Sequence, residues 1–441
     1  MSFRDDLAQI CEEYPELKFD FRFMEWETDF CRFYQSQINY NISKTSFILY
    51  ADIYKGKKSY GFSLVNPTKN LLTEKIEEVK EIIDQLPEDP DFVDIEDDLT
   101  KSEEKEKINN IEKVSLEKKI SILSQIAEAV KPFHFNIFGT FIANYQTVFM
   151  VNSNGLNKKE ISSPIMLQLK AVHEETEVTV LESFGGENFD TFDLDLFIKN
   201  LMMKVKAADK KIIDVEPGEY EVILAPRCIG EYFDYLEGSM SAASLDAGRS
   251  FFEGKLNKQV FPSTISLVDD PTEPGMIRRS YNYDGHVYKK VVLIENGVFR
   301  NFLVNNYYSH KLRMKKTGGI GASLVMKPGE KSLEEMISGI KYGLYISNLH
   351  YMNFINQKET SLTGLTRDGT FLIENGEITS VVNNLRFTEK ISDILNSITE
   401  IENKTYVVPM SSNYGNFNIY TMKMPHVKVK KFKISSSTKT I

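Results

Sequence analysis

The chain has few of the residues that most often announce a chemistry. Its 441 residues include only three cysteines, Cys11, Cys31 and Cys228, and no two of them form a C-x-x-C pair. An odd, scattered set excludes a disulfide framework and a cysteine-rich zinc site, and it fits a reducing compartment, so a cytoplasmic protein is expected. Histidine is also scarce, with six in the chain. His173-Glu174 opens like a zincin motif, but Glu177 stands where the second histidine belongs, and the surroundings read as strand, not helix. It is taken as a chance dipeptide. There is no P-loop, no G-x-G-x-x-G after a strand and no G-x-S-x-G elbow. No run reaches the roughly 18 apolar residues of a membrane span. Met1 to Asp6 leads into Cys11-Glu12-Glu13 with no apolar core, so no secretory signal is expected. A basic excess is missing too: the net charge of −10 argues against a nucleic-acid partner.

What is present is enough to fold. With 41% hydrophobic residues the chain can bury a core, and its length suggests more than one domain. Ser46 to Tyr54 is rich in β-formers and ends at the turn Lys55-Gly56, after which Tyr60 to Val65 returns as a hairpin partner. Leu72 to Leu86 places Ile76, Val79 and Ile83 at helical spacing and stops at Pro87-Glu88-Asp89-Pro90. Residues 87–115 are dense in Asp, Glu and Lys and are read as a solvated connection, with an acidic partner-binding loop as the sharper alternative. Ser115 to Val130 is a second amphipathic helix. Strands then follow: Val148 to Asn152 turns at Asn154-Gly155 and resumes from Lys158 toward Ile165 to Val172. Phe192 to Ala208 is helical. Asp209 to Gly218 marks a boundary, giving an N-terminal α+β domain over 1–212 and a C-terminal α+β domain over 213–441.

The second half opens with an alternating strand, Glu219 to Ala225, closed by Pro226. Ile229, Phe233, Leu236 and Met240 then keep helical spacing, and small residues follow from Ser239 to Ser244. An internal echo comes next: Leu293-Ile294-Glu295-Asn296-Gly297 recurs as Leu372-Ile373-Glu374-Asn375-Gly376. Each copy follows an Asp-Gly turn, Asp284-Gly285 or Asp368-Gly369, and has strand-like flanks, Val291 to Val304 and Thr370 to Val382. Two antiparallel meanders are predicted. Between them Ser332 to Gly343 is read as a helix. Phe387 to Ile398 is the last helix, Val427 to Ile434 the closing strand, and Ser435 to Ile441 a frayed tail.

Few residues offer reactive chemistry. Gly318-Gly319-Ile320-Gly321 lacks the Lys and Ser/Thr of a phosphate cradle and is read as a loop with special backbone angles, or else a substrate-contacting loop. Asp269 and Asp270 are either paired carboxylates or, the plainer reading, a solvated turn. Cys228 sits at a strand-to-helix junction, where a helix N-terminus would lower its pKa. With no histidine near it in sequence, a buried structural thiol is the expectation.

Together these residues carry a family likeness. Ser244-Leu245-Asp246 through Asp269-Asp270-Pro271, Asp284-Gly285, Leu293 to Val298 and Lys316-Thr317-Gly318 resemble the C-terminal half of TldD/PmbA proteins. So do Glu334-Glu335-Met336 to Gly343-Leu344, Gly369, and Leu372 to Gly376. Val151-Asn152-Ser153-Asn154-Gly155 supports the match in the N-terminal half, and the order holds over roughly residues 20–434. The resemblance implies a two-domain α+β subunit, with mixed and antiparallel sheets, that pairs into dimers. The family also carries the label "modulator of DNA gyrase". Its TldD-type chain bears H-E-x-x-x-H on the first helix of the C-terminal domain and a distant cysteine; with a TldE (PmbA) chain it forms a metalloprotease of unfolded or leader peptides. In this sequence the matching helix reads Gly230-Glu231-Tyr232-Phe233-Asp234-Tyr235. The glutamate slot is kept as Glu231, the histidine slots hold Gly230 and Tyr235, and the cysteine slot falls near Ser411. Glycine has no donor atom, and neutral tyrosine or serine replaces imidazole or thiolate poorly on zinc.

Three functions follow as expectations. The first is a non-catalytic TldE-like subunit whose TldD-type partner holds the zinc, this chain carrying no metal or other cofactor. The second is a stand-alone homodimer that binds peptides or a protein without cleaving them. The third is an enzyme with relocated chemistry at Cys228 or His310.

Overall fold

A computed structural model describes residues 3–100, 113–410 and 419–437. The first half runs α1 (Phe3–Glu13), β1 (Lys18–Tyr34), β2 (Gln37–Lys55), β3 (Lys58–Val65), α2 (Lys69–Ile83), α3 (Leu116–Val130), β4 (Phe135–Asn152), β5 (Asn157–Ser162), β6 (Ile165–His173), β7 (Thr179–Gly186) and α4 (Leu194–Ala208). Among the described residues these strands make one 7-stranded antiparallel sheet in the order β3-β2-β1-β4-β6-β7, with β5 on β4. Phe19, Phe21 and Phe23 of β1 and Leu49, Ala51 and Ile53 of β2 line one face and are buried under α1 and α2. The alternation Phe-Asp-Phe-Arg-Phe is what commits β1 to a half-buried strand. That strand is absent from the sequence expectation.

The second half adds β8 (Ile212–Ile213), β9 (Gly218–Leu224), α5 (Pro226–Glu237), α6 (Ala242–Asp246), β10 (Leu267–Asp269), β11 (Val291–Glu295), β12 (Val298–Phe299), α7 (Asn306–Lys311), β13 (Leu324–Met326) and α8 (Leu333–Ser338). It continues with β14 (Tyr342–Ile346), β15 (Leu349–Asn356), β16 (Ser361–Thr366), β17 (Thr370–Glu374), β18 (Glu377–Val382), β19 (Leu385–Lys390), α9 (Ile391–Asn396), β20 (Ile398–Ile401), β21 (Tyr406–Met410), β22 (Tyr420–Met424) and β23 (Val427–Ser437). A 6-stranded sheet has the order β12-β11-β10-β13-β22-β21, and a 10-stranded sheet the order β15-β16-β19-β23-β9-β14-β17-β18-β8, with β20 on β23. The fold is α+β with mixed and antiparallel sheets, as expected. One apolar cluster joins the halves: Ile126 and Val130 of α3 and Leu201 and Val205 of α4 pack with Leu167 and Leu169 of the first sheet and with Ile223, Tyr345 and Ile373 of the 10-stranded sheet.

Local chemistry explains most element ends. Thr68 caps α2 by accepting from Leu71 N, and Ser115 caps α3 by accepting from Lys118 N. The echoed Asn-Gly pairs turn two hairpins, with positive φ at Asn296 (47°), Gly297 (79°), Asn375 (50°) and Gly376 (84°). The copies lie in different sheets, β11-β12 and β17-β18, so the echo is a shared turn and not a repeated unit.

Other expectations change. The helix from Ser332 has a full capping box with Glu335 but ends at Ser338, capped by Gly339; Tyr342–Ile346 is instead a strand parallel to β9. The last helix shrinks to Ile391–Asn396, because Phe387 pairs with Gly364 and Ile434 in the sheet. Past β11 the paired run is only Val298–Phe299. Ser435 to Ser437 extend β23, and the remaining tail, 438–441, lies outside the described residues. The charged connection is largely solvent-exposed along its first part, as expected, but Ile95 and Glu96 are buried, and Glu96 pairs with Lys316 at 2.7 Å. Asn152 Nδ2 donates to Glu96 O, Asn154 Nδ2 to Ile95 O, and Lys158 Nζ to both Asp98 O and Gly285 O. Residues 101–112 of that connection lie outside the described residues.

Candidate functional site

Helix α5 follows β9 directly. Pro226 occupies its first turn, where the missing N–H costs no hydrogen bond, and Ala225 N is held by Ile346 O at 3.0 Å. Cys228, Ile229, Tyr232, Phe233 and Leu236 are fully buried in the C-terminal core. Glu231, Asp234 and Glu237 recur every third residue on the side away from that stripe.

The motif slots are packed and bonded in specific ways. A Cβ on Gly230 would stand 3.2 Å from Met410 Sδ and 3.3 Å from Val408 Cγ2, so β21 closes over this point of the helix. Glu231 Oε1 lies 3.5 Å from Arg227 Nη2, and burial raises its carboxyl pKa against the pull of that guanidinium. Arg227 is itself fixed by Pro409 O at 3.0 Å and Asn348 Oδ1 at 3.1 Å. Tyr235 OH donates to Met352 O on β15, with its ring edge-on to Phe354. Ser411 lies outside the described residues. As a zinc set these positions do not fit: Gly230 offers no donor, Glu231 faces a guanidinium, and the Tyr235 hydroxyl is spent on a backbone carbonyl.

The carboxylates further along α5 are a different matter. Asp234 Oδ1 accepts from Tyr420 OH at 2.7 Å, yet burial still holds its pKa above the usual range. Burial pushes Glu237 up to about 7, helped by the nearby charges of Asp234 and Asp269. Its side chain fills the space over Gly321, a residue at φ 76° where any Cβ would collide with it. The row therefore offers three carboxyl groups that burial makes harder to ionise, Glu237 titrating near 7, with Arg227 as the close cation of Glu231.

Other sequence candidates resolve into structure. Cys228 is a buried thiol whose Sγ donates to Ile346 O at 3.3 Å, and burial and the Glu231 charge raise its pKa. Activation by the helix N-terminus is lost to desolvation. His310 stands exposed on α7. His173 ends β6, and its Nδ1 accepts from Glu175 N and Thr176 N in a turn. Asp269 and Asp270 are not a solvated turn. Asp269 is fully buried and accepts from Ile320 N (2.9 Å), Gly321 N (2.8 Å), Ser323 N (3.1 Å) and Tyr288 OH (2.6 Å). Asp270 accepts from Thr272 and pairs with Lys290 at 2.9 Å. The glycine loop is thus a backbone clip on Asp269. Gly319 must lack a side chain because its Cβ would press on the Asp269 carboxylate.

A second buried polar group was not anticipated. His426 Nδ1 lies 2.6 Å from Glu402 Oε2 and its Nε2 3.1 Å from Tyr345 OH, while Tyr406 OH donates to Glu402 Oε1 at 2.9 Å. Burial would raise the Glu402 pKa, but the bonds from His426 and Tyr406 outweigh it and hold it below the ordinary value. The row on α5 was readable in the three-residue spacing of its acids. This cluster draws on β14, β21 and the chain ends around β20 and β23, and no local pattern signals it.

Known proteins place the chain. Residues 217–436 match the PmbA/TldA metallopeptidase C-terminal domain, and residues 109–213 match the PmbA/TldA metallopeptidase central domain. A zinc metalloprotease TldD homolog from Saccharolobus solfataricus is 30% identical over 379 residues, covering 79% of this chain and 80% of its own. The chain belongs to the PmbA/TldD family. Within it, a metalloprotease from Methanocaldococcus jannaschii is 28% identical over 56% of this chain and 58% of its own. TldE from Thermococcus kodakarensis superposes with a TM-score of 0.87 at 20% identity, over 99% of this chain and 100% of that one. A Thermotoga maritima protein named for modulation of a DNA gyrase follows at 0.83 and 19%, over 98% and 99%. At these identities the two structures speak to the fold alone.

Proposed function

We propose that this PmbA/TldD chain is a TldE-like, non-catalytic subunit of a metalloprotease acting on unfolded or leader peptides, in which a TldD-type chain supplies the zinc. One observation carries the reading: the first ligand slot of the motif helix is Gly230, and Met410 and Val408 of β21 pack where an imidazole would project. The bonds of Glu231 to Arg227 and of Tyr235 to Met352 O support it, since both turn motif positions toward the protein itself. The subunit's role is then to complete the substrate chamber and hold extended peptide, for which addition to a sheet edge reads backbone more than sequence.

The test is co-expression with a TldD-type chain, followed by measurement of bound zinc and cleavage of an unstructured peptide. Cleavage is expected only from the pair, with the zinc assigned to the partner, and Glu231→Ala should leave the assembled pair active. Stoichiometric zinc and cleavage by this chain alone would overturn the reading. Tight peptide binding without cleavage, with or without the partner, would favour a stand-alone homodimeric binding module.

A further inference from the structure

Two loops, one from each half of the chain, are built alike and lie against each other. In Asn152-Ser153-Asn154-Gly155-Leu156, between β4 and β5, Asn152 Oδ1 accepts from Asn154 N (3.0 Å) and Leu156 N (3.1 Å), and Asn152 O accepts from Gly155 N. In Asn282-Tyr283-Asp284-Gly285-His286, Asn282 Oδ1 accepts from Asp284 N (3.0 Å) and His286 N (2.9 Å), and Asn282 O accepts from Gly285 N. Each loop is therefore stiffened from within by a buried asparagine. They touch at Gly285, where a Cβ would stand 2.8 Å from Leu156 Cδ1, and the buried Lys158 joins them by donating to Gly285 O at 2.8 Å.

Along this pair of loops runs the first part of the charged connection. From Phe92 to Thr100 it belongs to no helix or strand, and from Val93 onward its main chain bonds only to side chains among the described residues. Four of its carbonyls are taken by side chains of the body: Asp94 O by Asn306 Nδ2 (2.9 Å), Ile95 O by Asn154 Nδ2 (3.0 Å), Glu96 O by Asn152 Nδ2 (2.7 Å) and Asp98 O by Lys158 Nζ (2.6 Å). Two of its carboxylates meet basic groups: Lys316 Nζ lies 2.7 Å from Glu96 Oε2, and His286 Nδ1 2.7 Å from Asp98 Oδ2. Glu88 to Asp98 carries Glu88, Asp89, Asp91, Asp94, Glu96, Asp97 and Asp98, with no basic residue among them. Amides on the backbone and basic groups on alternate side chains are how a receptor holds an extended acidic peptide.

We propose that this slot is a binding site for an extended acidic peptide, that residues 91–98 are its built-in occupant, and that an acidic segment of another protein displaces them. Three features favour exchange over a permanent staple. No ladder has to break for the segment to leave, because side chains alone hold it. The two asparagine loops are ordered by their own bonds, so the slot does not depend on its occupant for its shape. The connection from α2 to α3, residues 84–115, is also far longer than one that merely joins two elements. The inference stands apart from the proposed function: zinc content and cleavage report on that reading, whereas the affinity of an acidic peptide for the chain alone reports on this one.

The probe is a fluorescein-labelled peptide of residues 88–100, added to the full chain and followed by anisotropy. The wild type should bind it weakly, because its own segment competes at the roughly millimolar effective concentration of a tether. Glu96→Gln with Asp98→Asn weakens that competitor and should raise the affinity for the peptide by about tenfold or more, Glu96→Gln alone by less in the same direction. Adding Lys316→Met to the loosened chain should lower the affinity again by about tenfold, as should replacing the acids of the peptide by their amides. A further readout needs no variant: saturating peptide should speed amide exchange of residues 91–98 in the wild-type chain. No gain in affinity on loosening, or binding indifferent to Lys316→Met and to the charge of the peptide, overturns the proposal and leaves the segment a fixed staple between the halves. Exchange unchanged at saturation overturns it as well.

Discussion

Two sets of carboxylates in the C-terminal half, one buried and one half-buried, are supplied with donors in opposite ways. Asp269 and Glu402 sit among donors: three backbone N–H groups and a phenol for the first, an imidazole and a phenol for the second. The row on α5 is under-supplied, with Glu231 facing one arginine at 3.5 Å and Asp234 one phenol, and burial drives Glu237 up to about 7. Satisfied acids hold loops and strands together. Under-satisfied ones are a standing cost to the fold, and proteins keep such costs mainly where a partner, substrate or proton relieves them.

That contrast can be broken by mutation. Asp269→Ala should have the largest effect, a loss of about 3–5 kcal/mol in urea unfolding, because it strands three N–H groups and the Tyr288 hydroxyl in a dry core. A loss under about 1 kcal/mol would show that water replaces the carboxylate. Glu402→Gln should cost roughly 2 kcal/mol near neutrality, the usual range for hydrogen bonds to a charged group. Its pH signature is specific. The folded pKa lies below the ordinary 4.5, so the wild-type advantage is complete above that value and disappears as pH falls through the folded pKa. Unfolding curves of the two proteins that stay separated by a constant amount down to the lowest pH would contradict an ionised Glu402 held by these donors.

Glu237→Gln should have the smallest effect and the opposite sign. A carboxyl that titrates near 7 when folded and near 4.5 when unfolded binds more protons in the folded state, so stability falls as pH rises across that window. Replacement by Gln should gain on the order of 1 kcal/mol at pH 8 and nothing below pH 4.5. If the variant is less stable at pH 8, the Glu237 carboxylate is paired after all and belongs with Glu402.

Sequence reading succeeded where one residue type carries one local requirement. Asn296-Gly297 and Asn375-Gly376 were legible because a tight hairpin needs positive φ, and α2 because Leu72, Ile76, Val79 and Ile83 repeat on one face. The family, the α+β class and the position of the motif helix were legible from motif order. Reading failed where an apolar run leaves a helix for a strand without a break in period, as from Met336 through Ile340 to Tyr345, all buried. It also failed for Asp269, whose donors come from a glycine loop 51 residues on, and for His426, whose partners come from strands distant in sequence. A polar side chain that is satisfied across the fold leaves no mark in its own neighbourhood.

Helices α3 and α4 also bear on how the molecule comes apart. Their apolar residues share one cluster with residues of the first sheet and of the 10-stranded sheet, so that cluster belongs to neither half of the chain. A polypeptide severed near residue 212 would leave those helices with part of that cluster and a greasy flank open to water. The genetic seam and the thermodynamic seam are therefore expected at different places: the two matched family domains divide between residues 213 and 217, and a single cooperative melting transition across that point is the expected outcome.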